Sequence, residues 1–301
     1  MPDSTKQTIS ATQSPALFGA SSYLTRWMLY MQFAGKAEME TTEPNPRMEW
    51  GKKMQPLVLD QVAKDQKLEV VPNNIDSYIR RGLLGCTRDA TIICPSRGPG
   101  ALEIKCVFDY TAWMQKWNGG KTVPREYEIQ LQQQMFVGDE SWGMIAVWVC
   151  ADLYYFERKP IIDLWQRLNV EAADFFAQVK GELPAPKPFG APIEIPWLTS
   201  MFPTVKNSVL DLSHDPVHVK TSEKVSMYQF HSEQESGAKT GKELIRGELL
   251  ALAMENEMVL LPCGVNYRIQ KSGRGKTIKP YVPEVPLPPP LAADESILSG
   301  G

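Results

Sequence analysis

Two short apolar runs, Ala90 to Cys94 and Ala101 to Phe108, flank the turn-forming stretch Ser96-Arg97-Gly98-Pro99-Gly100. Gly/Pro punctuation between β-rich runs predicts a hairpin. Alternation along the second run puts Glu103 and Lys105 on one face and turns Leu102, Ile104 and Cys106 to the core. Upstream, Leu17, Leu24, Trp27, Met28 and Met31 recur at helical spacing within residues 14–37, behind a polar stretch (1–13) expected to fray. Residues 38–47 read as a loop. A second helical pattern runs from Met48 to Asp65 through Trp50, Met54, Leu57, Val58 and Val62, and Pro56 inside it predicts a kink or a restart. Residues 109–126, polar and aromatic, fit a lid, a DNA-contacting loop or a surface helix. A Gln-rich helix (127–137), strands at Met144–Cys150 and Tyr154–Lys159 and a helix at Ile161–Val179 complete the pattern.

The fold class this implies is α/β: a central mixed sheet flanked by helices over residues 1–183. Five prolines between Pro184 and Pro196 predict a Pro-rich linker, with irregular chain extending over 184–240. A small α+β accessory module is expected at 241–283. It holds a helix at Gly241–Glu255, apolar runs at Met258–Leu261 and Tyr267–Gln270, and a basic Ser-Gly-Arg-Gly-Lys turn. Residues 284–301 form a Pro-rich tail expected to be disordered, with polyproline II character.

The chain has 301 residues, 43% of them hydrophobic, eight Trp and a formal net charge of −3. That balance does not announce a nucleic-acid binder, whose phosphate-neutralising surface is usually basic. An enzyme can concentrate carboxylates at its site, so net charge excludes little. The five cysteines (86, 94, 106, 150 and 263) form no CxxC pair, and they read as thiols of a reducing compartment rather than disulfides or ligands. No run approaches 18 apolar residues and no signal pattern opens the chain, which predicts a cytoplasmic protein without a membrane span.

Asp89 precedes the first run, within reach of Glu103 on the neighbouring strand. Two carboxylates and Lys105 on one edge suit a hard cation and a water beside it. Mg²⁺ takes oxygen ligands, keeps several waters and needs only one or two carboxylates plus substrate phosphate oxygens. The Ile104 carbonyl is a candidate further ligand, and Lys105 could hold the water and offset phosphate charge. A solvated Glu-x-Lys pair on an ordinary hairpin gives the same pattern.

Four blocks extend that reading. They are Ile9 to Gln13 with Leu17-Phe18-Gly19 and Ser22-Tyr23; Glu49-Trp50-Gly51-Lys52-Lys53-Met54-Gln55-Pro56; Gly85 to Asp89 through Leu102 to Cys106; and Tyr127 to Met135. In this order they resemble the lambda-exonuclease or YqaJ-type viral recombinase family of the PD-(D/E)xK nuclease superfamily, over roughly residues 8–180. The resemblance implies a restriction-endonuclease-like core and a Mg²⁺-dependent exonuclease, with Mn²⁺ as a substitute. It would act on double-stranded DNA ends, 5′ to 3′, in phage-type recombination. It also implies a single-strand annealing partner and a ring-shaped homo-oligomer. Residue by residue, Asp89 and Glu103 would ligate the metal, Lys105 position the water and Gln130 orient the nucleophile or Lys105. Thr12 would meet the terminal phosphate, and Lys52 and Arg88 would lie on the DNA. Gln55 stands where the family has a Glu supporting the metal site, which puts a second metal in doubt. Arg88 replaces the usual Pro, and no Arg near the N-terminus matches the family's phosphate clamp, Lys6 being the nearest cation. Two alternatives stay open: an endonuclease or repair nuclease using the same residues, and a catalytically weakened DNA-end-binding protein.

Overall fold

The computed structural model describes residues 8–37, 46–73, 77–204, 206–214, 218–233, 239–261, 266–272 and 275–281. The chain divides into two compact units, Met1–Pro186 and Lys187–Gly301.

In the first unit the elements run β1 (Ile9–Ser10), α1 (Ser14–Leu17), α2 (Arg26–Phe33), α3 (Pro46–Gln66), β2 (Glu69–Pro72), β3 (Ile79–Arg81) and β4 (Leu84–Cys86). There follow β5 (Ala90–Cys94), β6 (Gly98–Val107), α4 (Tyr110–Lys116), α5 (Arg125–Gly138), β7 (Gly143–Val149), β8 (Asp152–Arg158) and α6 (Ile162–Lys180). The hairpin forms with a tighter turn than its Gly/Pro content suggests. Gly98 and Gly100 already belong to β6, and the Trp142 ring packs so closely on Gly100 that a Cβ there would lie 2.6 Å from it. A five-stranded sheet of order β2-β5-β6-β7-β8 results. Its strands are antiparallel except for β6 and β7, which run parallel and are joined through α4 and α5. This is a central mixed sheet flanked by helices.

Both faces of β6 are covered. Leu102 and Ile104 pack with Ile92 and Ala146 against Val58, Leu59 and Val62 of α3. On the other face Ala101, Ile145 and Val147 meet Leu131 and Met135 of α5 and the indoles of Trp113 and Trp117. Those two tryptophans, each 2% exposed, anchor the segment to the core, and Tyr110–Lys116 within 109–126 takes the helical alternative. A second sheet, β1-β4-β3, stands beside α5.

Other local expectations are corrected. Residues 8–13 do not fray: Ile9 is fully buried and β1 pairs in parallel with β4. The helical pattern over 14–37 splits into α1 and α2, since Gly19 takes φ +61° and Thr25 starts α2 by accepting a hydrogen bond from the Met28 amide. Pro56 lies inside one uninterrupted α3.

The second unit contains α7 (Ile195–Met201), β9 (Lys206–Asp211), α8 (Val219–Glu233), α9 (Lys239–Ala253), β10 (Asn256–Leu260), β11 (Asn266–Ser272) and β12 (Gly275–Tyr281), with sheet order β12-β11-β10-β9. The stretch expected as linker and irregular chain thus carries α7, β9 and α8. Two of its prolines start helices: Pro192 opens a 3₁₀ turn and Pro196 sits in the first turn of α7, where a missing amide costs nothing. Lys276 of the basic turn is buried rather than presented, and burial lowers its pKa. Lys6, Cys263, Arg274 and the tail 284–301 lie outside the described residues.

Candidate functional site

The antiparallel register Ala90↔Leu102, continued one step, sets Asp89 opposite Glu103. Asp89 Oδ2 accepts the Ile104 amide at 2.7 Å, and Oδ1 accepts Gln55 Nε2 at 3.1 Å from α3. Amide and carbonyl of one strand residue project to the same edge. The Ile104 carbonyl therefore lies on the edge facing Asp89, past the end of β5 where no ladder bond claims it.

Glu103, 4% exposed, is gripped from three sides. Its Oε1 accepts Lys105 Nζ at 2.5 Å and Gln130 Nε2 at 2.7 Å, and its Oε2 accepts Gln134 Nε2 at 2.6 Å. Gln130 Oε1 also accepts Lys105 Nζ at 3.1 Å, and the ammonium lies 4.6 Å from the Tyr127 ring centroid. Burial pulls the Lys105 pKa down, but Glu103, Asp89 and Glu126 together outweigh it and leave the amine firmly protonated. Asp89 shifts the opposite way. Burial first, and the neighbouring Glu103 second, push its carboxyl up to about 7 against the pull of the Ile104 amide and Lys105.

The cluster opens on a cavity of about 460 Å³ lined by Lys105, Gln130, Tyr127, Glu126, Thr12 and Tyr23, among others. The structure thus brings together Asp89, Glu103, Ile104, Lys105, Gln130 and Gln55, with Thr12 across the cavity, its hydroxyl 3.0 Å from that of Ser10. It does not bring in Arg88, which is turned away into a buried ion pair with Glu140, so the expected DNA contact is not available to it as placed. Lys52 is exposed on α3 and lines no part of the cavity.

Sequence reasoning missed Gln134 and Glu126. Gln134 follows Gln130 by one helical turn and so shares its face, a spacing that was readable. Glu126 is buried and accepts the Ser22 amide and hydroxyl at 3.2 and 2.9 Å. Nothing in the sequence pattern marks that pairing.

A divalent cation suits this donor set. Two carboxylates against one ammonium leave a net negative charge in the site, and Glu103 adds to the burial that raises the Asp89 pKa. Among the described residues no group of three His, Cys, Asp or Glu side chains could hold a metal ion. The remaining ligands would therefore be the Ile104 carbonyl, water or substrate oxygens, a mixture natural to Mg²⁺. Gln55, which by the sequence resemblance stands at a doubtful second-metal position, donates its amide to Asp89 Oδ1.

Residues 3–141 match the family model of the YqaJ-like viral recombinase domain. The match falls within the first of the two compact units and spans a little under half of the chain. Solved structures similar to the chain include an alkaline exonuclease, LHK-Exo, from Laribacter hongkongensis, with 17% identity, 58% of this chain and 89% of that one covered and a TM-score of 0.47. LHK-Exo in complex with dAMP gives 17% identity, the same coverage and a TM-score of 0.48. A phage-related exonuclease from Haemophilus somnus 129PT gives 13% identity, 58% and 96% coverage and a TM-score of 0.45. No curated protein matches the chain. Among the described residues no helix is long and apolar enough to cross a membrane.

Proposed function

We propose that this YqaJ-like domain is a Mg²⁺-dependent DNA exonuclease that hydrolyses phosphodiester bonds at double-stranded ends. Mn²⁺ would substitute, and the direction would be 5′ to 3′ by its resemblance to lambda-exonuclease-type enzymes. The observation that carries the reading is Asp89 opposite Glu103, with Lys105 hydrogen-bonded to Glu103 Oε1 and Gln130 Oε1 at the wall of an open cavity.

Asp89, Glu103 and the Ile104 carbonyl would hold the cation. When bound, it would polarise the phosphorus and lower the pKa of a water. Lys105, kept protonated by its carboxylate neighbours, donates to the attacking oxygen and offsets charge growing on the phosphate. Gln130 fixes the Lys105 amine, and the Tyr127 ring gives it a face to rest on. Thr12 offers a hydroxyl to a terminal phosphate from across the cavity. The Gln55 amide favours a single cation. An exonuclease of this kind leaves 3′ single strands, which fits an annealing protein as partner and a homo-oligomeric ring as the assembly in a cytoplasm.

The test is digestion of linear, 5′-phosphorylated duplex DNA with Mg²⁺, run beside Glu103→Ala, Lys105→Ala and an EDTA control. Loss of nucleotides from the ends by the wild type alone supports the reading. Cleavage of covalently closed circles would move it to an endonuclease. End binding without turnover would move it to a weakened, DNA-binding protein, a reading motivated by Gln55.

A further inference from the structure

The second unit carries a cavity of about 730 Å³ that the nuclease reading leaves unused, in the size range of built ligand sites. Its floor is apolar: Leu210 and Leu212 at the end of β9, Leu249 and Leu252 of α9, and Phe189, which is 71% exposed. Its remaining wall is cationic. Lys187, Lys220 and Lys224 line it against one carboxylate, Glu248, which pairs with Lys224. Lys187 and Lys220 are exposed and enter no ion pair among the described residues. A solvated lysine is ordinary; two uncompensated lysines over an apolar floor describe a site for a ligand both greasy and anionic.

The position of β9 narrows the class. It is the outer strand of its sheet and pairs only with β10 among the described residues, so its outer edge offers backbone donors and acceptors to an added strand. Alternate side chains of such a strand would fall on the face that carries Leu210, over the apolar floor and beside the lysines. A compact amphiphile would use the floor and the charge but not the edge.

We propose that this groove docks an extended acidic–apolar segment of a partner protein: one or two carboxylates, read by Lys187 and Lys220, next to large apolar side chains that fill the floor. The strand adds to the edge of β9.

The test uses the full chain and fluorescein-labelled peptides in a polarisation titration. The probe is Asp-Glu-Leu-Ile-Phe, and the controls are Lys-Lys-Leu-Ile-Phe and Asp-Glu-Ser-Gly-Ser. Only the probe should bind, with affinity falling as salt rises. The surface variant Lys187→Glu/Lys220→Glu should weaken it at least tenfold while its melting curve and its DNA digestion stay unchanged. Equal binding of the basic control, or an affinity indifferent to the double variant, overturns the proposal. Displacement of the probe by laurate at comparable concentration would make the ligand an amphiphile and overturn the peptide class. Probe binding that emerges only when the chain is shortened to end at residue 283 would assign the groove to this chain's own tail, and so overturn the partner.

Discussion

Replacing Lys105 by Met removes the only cation hydrogen-bonded to Glu103 in the described site while keeping most of the apolar stem. The carboxylate it serves is 5% exposed at its side chain and Lys105 itself 22%, so this is a largely buried pair. Breaking such a pair from one side costs about 3–5 kcal/mol, because the remaining charge stays desolvated. Here Gln130 and Gln134 go on donating to both oxygens of Glu103, and the partial exposure of Lys105 screens part of the charge. The expected loss at pH 8 is therefore about 2–3 kcal/mol, or a urea midpoint lower by about 1 M with a slope of about 2 kcal/mol/M. Adding Glu103→Gln removes the stranded charge at nearly constant shape. The double variant should regain at least half of the loss, a coupling of more than about 1 kcal/mol. Mg²⁺ at millimolar concentration should also stabilise Lys105→Met more than wild type, since the ion then supplies the missing positive charge. The assay is urea unfolding followed by Trp fluorescence, in EDTA and in Mg²⁺. A single variant as stable as wild type, or a loss that Glu103→Gln leaves untouched, would refute the electrostatic account of the cluster.

Three further outcomes follow from the same geometry. The folded Asp89 pKa near 7 stands above its ordinary 3.8. Its contribution to stability is thus fully present below about 3.8 and lost as pH rises through about 7. Metal-free protein should melt lower at pH 8.5 than at pH 5.5. Mg²⁺ affinity, which requires the ionised carboxyl, should tighten by up to about tenfold per pH unit below 7 and then level off; Asp89→Asn flattens both profiles, and calorimetry at several pH values reads them. Gln133→Leu strips the amide that donates to both the Ile9 and Gly85 carbonyls at 2.9 Å. Losing that donor from two buried carbonyls should cost about 1–3 kcal/mol in urea unfolding, and no measurable cost would mean that water replaces it. Gly100→Ala forces a Cβ against the Trp142 ring and should destabilise by about 1–3 kcal/mol through overpacking, with altered Trp fluorescence as its signature.

The hairpin and its three charged residues were legible because a strand has period two. Once Ala90–Cys94 and β6 pair, the positions of Asp89, Glu103 and Lys105 follow from counting. The second unit was harder to read, since its prolines look like linker composition wherever they occur. Pro192 and Pro196 nevertheless fall at helix starts, and only the run of residues after each distinguishes an opener from a breaker. Gly190 carries the same ambiguity. It reads as loop, yet it takes φ +77° with the backbone of Gly247 and Glu248 against it, so closely that no Cβ fits.

The Gln-rich helix marks the limit of reading polarity as exposure. Residues 130 and 132–134 are all buried, and helical phase decides what each one does. Gln130 and Gln134, one turn apart, meet the two oxygens of Glu103. Gln133, about 100° around the axis from Gln134, reaches β1 and the edge of β4. Gln132 donates to the Lys159 carbonyl and accepts the Ile161 amide and the Trp165 indole at the start of α6. A polar helix walled in on three sides is affordable only because an amide both donates and accepts, so it can satisfy a carboxylate, a carbonyl or an indole in turn. Glutamate at 130 or 134 would set like charge against Glu103, and Leu would leave the carboxylate oxygens short of donors. The carboxylate that the sequence nominates as a ligand thus dictates the amides behind it, and that dependence runs through space rather than along the chain.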